Sequence, residues 1–535
     1  MNDNGVDAIA DKRAQWRAAG IYATESLGQV MDAVAREHAG DVFVFFTQDG
    51  EHTVTLGEIT TAAYQLAGAL RRRGVGGGDV VAVQLPDGVE CVVAYRAAIA
   101  LGVTLVPIPA IYGEKEVAFI LADSGARCLV TADRWRSSEY VSALPRVLER
   151  TSVELTVVVG AEVPDGCLSW SELSADRQPG DDRPPESGVT AAHEAAILYT
   201  SGSTADPKGV RHSHETLLYE LRQCMPPWRL HGARWLSVLP FAHMAGFLTV
   251  CRPLLFGGGM VSVDRWDPVQ ALELLKRFDI TSGTLPPYHL TTLLEAARAE
   301  GVDRLELRDV LVGSTAVQAA LIRSADAVGC RAYRCYGSSE HPTISSGEEH
   351  DPLDLRADTD GKLYPDMLVR IVDEDDNDVP PGTPGEILST GPDLFLGYTD
   401  PAATAAVFTA DGYYRTGDIG ILDGDRLTIT GRRKELIIRG GENLSPKEIE
   451  DVLGTHAAVV EVAVVGAPDP RYGERAWAFV LTRDGLGLTL EEVREHFRAA
   501  GIARQKTPEG ITVLDEFPRT AAGKIRKTEL RKLLA

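Results

Sequence analysis

Short runs of β-branched residues alternate with apolar stretches of helical length from about residue 79 onwards. Strand-like runs occupy 80–85, 104–107 and 127–131, and the stretches between them, 89–101 and 114–124, are long enough for helices. This rhythm is typical of βαβ units, whose strands form a largely parallel sheet with helices on both faces. The pattern therefore predicts a doubly wound α/β subdomain.

The alternation stops once and then resumes. Pro, Asp, Ser and Gly cluster between about residues 160 and 192, which predicts a connector. Strand-like runs then return at 195–198, 235–239, 260–263, 280–283, 310–312 and 331–336. These runs, with helical segments between them, predict a second α/β subdomain.

The last third of the chain has a different pattern. Between about 360 and 430 the apolar runs shorten and turn signals separate them, which predicts a small, antiparallel, β-barrel-like subdomain. Beyond residue 431 the pattern predicts a hairpin, helix, strand, strand, helix, strand and helix, a compact α+β domain. The predicted fold class is thus α/β, with an N-terminal domain over 1–432 and a C-terminal domain over 433–535.

Composition and charge exclude several kinds of binding partner and of site. A chain of 535 residues exceeds a single hydrophobic core, and its formal net charge of −23 argues against nucleic acid or an anionic membrane as the main partner. The seven cysteines show no C-x-x-C spacing, so neither a disulfide framework nor a zinc site is indicated. The first residues lack the pattern of a secretory signal, and the most apolar segment, 89–110, contains Glu90, Arg96 and two prolines. We expect a cytoplasmic protein that is not inserted in a membrane.

The segment 199–210 has the composition of a phosphate-binding loop. Hydroxyls and glycine backbone N–H groups can donate hydrogen bonds to phosphate oxygens, and a lysine adds a positive charge. The candidate residues are Thr200, Ser201, Gly202, Ser203, Thr204, Lys208 and Gly209. The common P-loop is excluded because Pro207 precedes Lys208 and Gly209 follows it. Composition alone would also allow a flexible surface loop.

The order of residues in this loop resembles the phosphate loop of the acyl-adenylate-forming superfamily. That superfamily includes acyl- and aryl-CoA ligases, adenylation domains of peptide synthetases, and firefly luciferase. Five further segments match its pattern in the same order, so that the resemblance covers about 195–530. The segment 13–22 is also similar to the opening of cyclohexanecarboxylate-type CoA ligases and aryl-acid AMP ligases.

Two of these segments imply contacts with a nucleotide. Tyr336-Gly337-Ser338-Ser339-Glu340 resembles the family's Tyr-Gly-x-Thr-Glu, where the tyrosine stacks on adenine and the glutamate holds Mg²⁺ on ATP. A hard carboxylate oxygen suits Mg²⁺, although an isolated glutamate would more often be a solvated loop residue. The segment 312–316, with Gly313, Ser314 and Thr315, is implied to lie under the adenine.

Two more segments imply a ribose site and a hinge. Tyr414-Arg415-Thr416-Gly417-Asp418 resembles the family motif whose aspartate accepts hydrogen bonds from both ribose hydroxyls, although such a turn is also a common surface hairpin. In the next segment, 431–435, the resemblance makes Arg432 a nucleotide contact and Lys434 the hinge about which a mobile C-terminal domain rotates.

The resemblance assigns the last segments to two successive reactions, adenylation of an acid and transfer of the acyl group to a thiol. Gly440 and Gly441 stand where the family lines the pantetheine tunnel, although the residues that follow also make a good helix start. Lys524 lies in a segment that resembles the family's Pro-x-Thr-x-x-Gly-Lys, whose lysine enters the active site during adenylation. A cation there would reduce the repulsion between the attacking carboxylate and ATP. By composition alone, Lys524 could be one of several solvated tail lysines.

The acyl pocket is implied by the segment 239–246. The resemblance makes His243 an aromatic gate between the pocket and the thiol tunnel. The other pocket residues it implies are Met244, Gly246, Leu285, Val312, Gly313 and Gly337. Peptide-synthetase members carry an aspartate in this octet and this chain has none, so a neutral acyl tail is favoured over an α-amino acid. Apolar linings of this kind do not fix chain length.

Together the motifs predict an ATP-dependent acid–thiol ligase that uses ATP, Mg²⁺ and coenzyme A. Thr200, His243, Glu340 and Lys524 are the predicted catalytic residues. The favoured acid is a short- to medium-chain, alicyclic or aryl carboxylate. The alternatives are loading of a carrier-protein phosphopantetheine, an oxygen-dependent luciferase, and a non-catalytic nucleotide-binding protein. The oligomeric state stays open, a homodimer included.

Overall fold

The structure is a computed structural model that describes residues 4–185, 187–200, 207–228, 234–439, 442–483, 486–520 and 523–534. The first part of the chain alternates strands and helices. Its elements are α1 (Asn4–Ala18), α2 (Leu27–Glu37), β1 (Val42–Thr47), β2 (Gly50–Thr55), α3 (Leu56–Arg72), β3 (Val80–Gln84), α4 (Val89–Leu101), β4 (Thr104–Pro107), α5 (Glu114–Ser124), β5 (Cys128–Ala132), β6 (Arg134–Trp135), β7 (Ser138–Glu139), α6 (Leu144–Leu148), β8 (Leu155–Val159), β9 (Leu168–Ser169) and α7 (Trp170–Ala175).

The second part repeats the alternation of strand and helix. Its elements are β10 (Glu194–Thr200), β11 (Lys208–Ser213), α8 (His214–Trp228), β12 (Trp235–Ser237), α9 (Met244–Phe256), β13 (Met260–Val263), α10 (Pro268–Arg277), β14 (Ser282–Leu285), α11 (Pro287–Ala299), β15 (Asp309–Val312), α12 (Ala319–Ala327) and β16 (Arg331–Tyr336). The predicted βαβ rhythm is confirmed in both parts.

Short strands dominate the third part. Its elements are β17 (Ser345–Ser346), α13 (Leu353–Asp358), β18 (Lys362–Leu363), β19 (Leu368–Val372), β20 (Gly385–Thr390), β21 (Gly397–Tyr398), α14 (Pro401–Ala405), β22 (Tyr414–Asp423) and β23 (Arg426–Arg432). The C-terminal elements follow a 3-10 turn, Arg433–Glu435. They are β24 (Ile437–Arg439), β25 (Glu442–Leu444), α15 (Pro446–Leu453), β26 (Val459–Asp469), β27 (Gly473–Thr482), α16 (Leu490–Ala499), a second 3-10 turn (Arg504–Lys506), β28 (Gly510–Val513) and α17 (Lys527–Lys532).

Two large sheets organise the N-terminal part. In the described residues, one sheet has the strand order β21-β11-β10-β4-β3-β5-β8-β9, and the other runs β19-β20-β22-β23-β18-β17-β16-β15-β14-β12-β13-β1-β2. The β-barrel-like closure predicted for 360–430 is wrong for this part of the chain. The antiparallel strands β19, β20, β22 and β23 instead extend the second sheet beyond β16.

The first hairpin crosses from one sheet to the other. β1 and β2 precede the strands of the first sheet in sequence, but β1 pairs in parallel with β13, so that Phe43 lies beside Met260. Between the sheets, α4 is buried along almost its whole length and ends at Gly102 in the left-handed conformation. Arg96 is buried on this helix and donates to Asp32 and to the Tyr64 hydroxyl.

The C-terminal elements form a separate five-stranded sheet around their own apolar core. The strand order is β25-β24-β27-β26, with β28 parallel to β27. Helices α15 and α16 contribute Ile449, Leu453, Val493 and Phe497 to the core beneath it. The predicted order of elements in this part is confirmed. Among the described helices, none combines the length and apolar character needed to span a membrane.

Candidate active site

The tight turn after β16 presents the Tyr336 to Glu340 motif at the end of the second sheet. A β-carbon on Gly337 would lie 1.9 Å from the Pro342 carbonyl oxygen, so only glycine fits there. The Ser338 N–H donates to the His341 carbonyl oxygen at 2.9 Å, and the Ser339 carbonyl accepts from His212 Nε2 at 2.8 Å. These contacts fix the backbone on which Glu340 sits.

Asp418 lies between a tyrosine and an arginine. The Tyr336 hydroxyl donates to Asp418 Oδ2 at 2.8 Å, and Arg432 Nε lies 2.9 Å from Oδ1. Arg432 faces Asp418 across the β22–β23 register. Burial raises the pKa of the Asp418 carboxyl, and the charge of Arg432 opposes that effect. Since each carboxylate oxygen can accept two hydrogen bonds, both oxygens keep capacity for another donor.

Glu340 is held by a second tyrosine. The Tyr398 hydroxyl donates to Glu340 Oε1 at 2.8 Å, and burial together with the Glu340 charge raises the pKa of Tyr398. The Lys208 ammonium lies 5.1 Å from the centre of the Tyr398 ring, within cation–π range. The motif at the end of β16 is therefore connected to the start of β11.

The predicted phosphate loop joins two paired strands. β10 and β11 are antiparallel, and Thr200 pairs with Lys208 at the mouth of the loop. Below the mouth, the Tyr199 hydroxyl donates to Asp123 Oδ2 at 2.6 Å and anchors β10 to α5. The predicted phosphate contacts Ser201, Gly202, Ser203 and Thr204 lie outside the described residues.

Lys524 extends from the C-terminal part toward these acids. Protein atoms around its ammonium lower the pKa of Lys524, the charge of Arg432 lowers it further, and Asp418 and Glu340 oppose these effects. Lys524 is nevertheless exposed to solvent. Burial and the Lys524 charge in turn lower the pKa of His243 to about 4, so that imidazole is neutral near pH 7.

The segment that carries Lys524 contacts helix α11. The Arg519 guanidinium lies 4.4 Å from the centre of the Tyr288 ring, and a side chain on Gly523 would come within 3.5 Å of the His289 ring. The segment that carries Lys524 therefore rests on the start of α11. Burial lowers the pKa of His289 to about 4, with a smaller contribution from Arg519.

The predicted acyl-pocket residues lie at one end of the second sheet. His243 caps the start of α9, and a β-carbon on Gly246 would lie 2.0 Å from the Pro240 carbonyl oxygen. Leu285 ends β14, Val312 ends β15, and both are buried, as is Met244. Parallel strands carry ligand sites at their carboxyl ends, and these residues lie there.

The predicted adenine wall follows β15. Gly313 is buried, and a β-carbon there would meet Cys335 Sγ at 2.7 Å. Ser314 and Thr315 are exposed, and Ser314 has a φ of 70°, a left-handed conformation that is uncommon for a residue other than glycine. Backbone strain of this kind is often found at ligand sites.

The sequence model of the family described as "AMP-binding enzyme" matches residues 31–399, and that of the "AMP-binding enzyme C-terminal domain" matches residues 448–524. The chain belongs to the AMP-binding enzyme family. The resemblance drawn from the motifs is thereby confirmed, and Lys524 is the last residue of the second match.

Curated relatives and solved structures agree with this membership. The chain is 32% identical to the medium-chain fatty-acid–CoA ligase of Escherichia coli, over 97% of this chain and 92% of the relative. It is 34% identical to triostin synthetase I of Streptomyces triostinicus, over 98% and 97% of the two chains. Its fold matches ATP-bound MatB from Rhodopseudomonas palustris with a TM-score of 0.81 and 27% identity, covering 94% and 98% of the two chains.

The remaining predicted residues of this AMP-binding enzyme lie at the junction of its two parts. Lys434 is exposed in the 3-10 turn between β23 and β24. Gly440 and Gly441 lie outside the described residues. Two further residues of the site were not predicted: Tyr398 donates to Glu340, and His212 donates to the Ser339 carbonyl. Neither lies in a motif, and they belong to the strands β11 and β21, which pair with each other.

Proposed function

We propose that this protein activates a carboxylic acid with ATP and transfers the acyl group to coenzyme A, giving acyl-CoA, AMP and pyrophosphate. The observation that carries the proposal is the convergence of Lys524 with Asp418, Glu340, Arg432 and His243. These groups come from both parts of the chain. A protein that only bound a nucleotide would have no need of a lysine brought in from a separate C-terminal sheet.

The nucleotide binds across the ends of β16 and β22. Asp418 accepts hydrogen bonds from the two ribose hydroxyls, with Arg432 beside it, and the Tyr336 ring stacks on adenine while its hydroxyl stays on Asp418. The residues from Thr200 to Thr204, together with Lys208, surround the phosphates. The backbone beneath the base is formed by Gly313, Ser314, Thr315, Gly337 and Ser339.

Glu340 fits the magnesium ion that the family implies. Its Oε1 accepts from Tyr398, which leaves the other carboxylate oxygen as a hard donor. When bound, Mg²⁺ would neutralise part of the phosphate charge. The hydrogen bond from Tyr398 would hold the Glu340 carboxylate in one orientation.

Lys524 acts in the first half-reaction. A carboxylate oxygen of the acid attacks the α-phosphorus of ATP and forms the acyl–phosphate bond. The bond from the α-phosphorus to the bridging oxygen breaks, and pyrophosphate leaves with its electron pair. Two anions must approach one another in this step, and the Lys524 ammonium reduces their repulsion and stabilises the developing charge.

The second half-reaction needs a different set of groups around the same carbonyl. We propose a domain boundary at residues 432 and 433 and rotation of the C-terminal domain about Lys434, which withdraws Lys524 and brings Gly440 and Gly441 to a thiol tunnel. The coenzyme A sulfur then attacks the acyl carbonyl and AMP leaves. His243 gates the tunnel as a neutral ring, since its pKa of about 4 keeps the imidazole uncharged.

Coenzyme A is the proposed acceptor, and the acid a short- to medium-chain, alicyclic or aryl carboxylate. The E. coli relative, named for medium-chain fatty acids and CoA, supports this choice. A carrier-borne phosphopantetheine is the second candidate, but an acidic carrier would meet a chain of net charge −23. We propose the cytoplasm as the location, because seven cysteines without paired spacing suit a reducing compartment.

ATP–pyrophosphate exchange with a panel of acids tests the proposal. A ligase exchanges label only with acids that it activates, whereas a non-catalytic binder exchanges none. Adding coenzyme A and measuring AMP release then separates a CoA ligase from a carrier loader. No exchange with any acid, in a preparation that binds ATP, would overturn the proposal.

A further inference from the structure

Helix α9 carries a buried arginine that faces the second sheet. Arg252 is 7% exposed, and its guanidinium stacks over the Trp235 ring at 5.1 Å. Its Nη1 donates to Thr284 Oγ1 at 3.5 Å. Thr284 lies beside Leu285 on β14, in the wall of the proposed acyl pocket.

This guanidinium has no anionic partner in the described part of the chain. Among the residues that the structure describes, no carboxylate lies within ion-pair distance of Arg252, and its buried Nε has no hydrogen-bond acceptor. A buried charge is costly unless it is paired and hydrogen-bonded, and guanidinium stays protonated in proteins. Arg96, another buried arginine, forms an ion pair with Asp32.

Two further unsatisfied polar groups lie on the same face of the sheet. Trp235 Nε1 and Ser237 Oγ are both buried and have no hydrogen-bond partner among the described residues. They are two residues apart on β12 and therefore point to the same side, and Ser237 is in register with Thr284 on the neighbouring strand. The hydroxyls of Ser237 and Thr284 and the guanidinium of Arg252 thus share one face beneath α9.

The position of Arg252 relates this group to the acyl chain. Arg252 lies nine residues after His243, or about 13 Å along the helix axis at the usual rise per residue. Helical side chains lean toward the N-terminus, so the Arg252 side chain leans back toward the gate at His243. The guanidinium is therefore displaced along α9 from the gate residue His243.

We propose that the acid is a dicarboxylic acid whose second carboxylate binds Arg252, with Ser237 and Thr284 as supporting donors. The inference rests on the proposed function and names its substrate class. The guanidinium fork matches a carboxylate in two parallel hydrogen bonds, and the hydroxyls supply further donors. A purely apolar tail would instead leave these buried groups unpaired, and sites of this kind reject such analogues strongly.

The second carboxylate takes no part in bond changes. One carboxylate of the diacid forms the bond to the α-phosphorus as pyrophosphate leaves, and the thiol later displaces AMP from that carbonyl. The carboxylate on Arg252 stays ionised throughout. The product is a thioester that keeps one free carboxylate.

The test compares acids in matched pairs. Initial rates of ATP–pyrophosphate exchange are measured with octanedioate against octanoate, and with benzene-1,4-dicarboxylate against 4-methylbenzoate. We expect the full-length protein to prefer the diacid of at least one pair by about 100-fold or more in kcat/KM. Arg252→Met should abolish that preference and bring the ratio to about one or below, whereas Arg252→Lys, which keeps the charge but loses the fork, should give an intermediate ratio.

The ratio within each variant is independent of how much of the protein is folded, so partial misfolding of Arg252→Met does not hide the outcome. Two results would overturn the inference and leave the ligase proposal intact. One is exchange with the monoacids but not with the diacids, and the other is a diacid-to-monoacid ratio that is the same in the wild type and in Arg252→Met. Exchange with neither class would instead count against the ligase proposal.

Discussion

Tyr336 and Asp418 are 82 positions apart in the chain, and the Tyr336 hydroxyl donates a hydrogen bond of 2.8 Å to Asp418 Oδ2. The bond ties the end of the parallel strand β16 to the antiparallel strand β22. Asp418 also holds Arg432 across the β22–β23 pair. A single buried carboxylate therefore connects three motifs of the sequence, which is why we assign it to the ribose.

Replacing Asp418 by Asn should weaken ATP binding. The change keeps the shape but removes the charge and replaces one of the two acceptor oxygens by an NH2 donor. One ribose hydroxyl then loses its acceptor, and the apparent KM for ATP should rise about 10- to 100-fold. Asp423→Asn, at the exposed end of the same strand, is the matched control and should leave this KM unchanged. An unaltered KM for ATP in Asp418→Asn would remove the residue from the nucleotide site.

Replacing Lys524 by Ala should separate the two half-reactions. Loss of the ammonium should reduce ATP–pyrophosphate exchange by about 100- to 1,000-fold, because the charge that develops in the first step loses its stabilisation. Thioester formation from supplied acyl-AMP should continue, since that step does not use Lys524. Lys532→Ala serves as control, because Lys532 is an exposed lysine on the nearby helix α17. Equal losses in both assays would contradict the assigned role.

Replacing Gly337 by Ala should disturb the turn that holds Tyr336 and Glu340. A methyl group 1.9 Å from the Pro342 carbonyl cannot be accommodated without backbone movement, so we expect about 1–3 kcal/mol of destabilisation and a large loss of exchange. Gly76→Ala introduces a methyl group into open space at a turn and should leave both unchanged. Thermal unfolding and exchange rates measure the two effects, and a fully active Gly337→Ala protein would argue against this geometry.

Buried histidines should make the fold sensitive to acid. Burial lowers the pKa of His214 to about 4 from an ordinary 6.5, so the unfolded chain takes up a proton that the folded chain does not. The stabilisation is present above pH 6.5 and is lost as the pH falls toward 4. His212, His243 and His289 have pKa values lowered to about 4 as well and act in the same direction.

The contribution of His214 can be isolated with His214→Asn, whose amide oxygen can accept from the Leu27 N–H as His214 Nδ1 does. Between pH 7.5 and pH 5 the variant should lose about 2 kcal/mol less free energy of unfolding than the wild type. Urea denaturation at the two pH values measures the difference. An identical loss in both proteins would show that His214 titrates normally.

The sequence predicted those site residues that combine a suitable side chain with a place in a short motif. Tyr336, Glu340, Asp418, Arg432 and Lys524 each belong to a short motif, and the structure brings them to one cleft. The residues that were missed act through contacts distant in sequence. Tyr398 reaches Glu340 from 58 positions away, and Arg252 has no motif that would distinguish it from an ordinary helix residue.

The hydrophobic pattern fixed the local elements closely. The predicted helices at 89–101 and 114–124 match α4 and α5, and the order of elements in the C-terminal part is as expected. The shared sheet was not predictable in this way. Whether β19 to β23 close on themselves or extend an existing sheet depends on which free strand edge they meet, and alternation of apolar residues is the same in either case.

The sequence by itself determined the family, the α/β elements and the acids, hydroxyls and lysine that the proposed chemistry needs, because these depend on residue type and spacing along the chain. Only the tertiary structure decided which of them meet and that Asp418 is shared by Tyr336 and Arg432. Only it shows that Arg252 is buried with no counter-charge among the residues the structure describes. Burial and charge pairing arise from packing between distant segments. No local pattern records which partner a buried side chain will have.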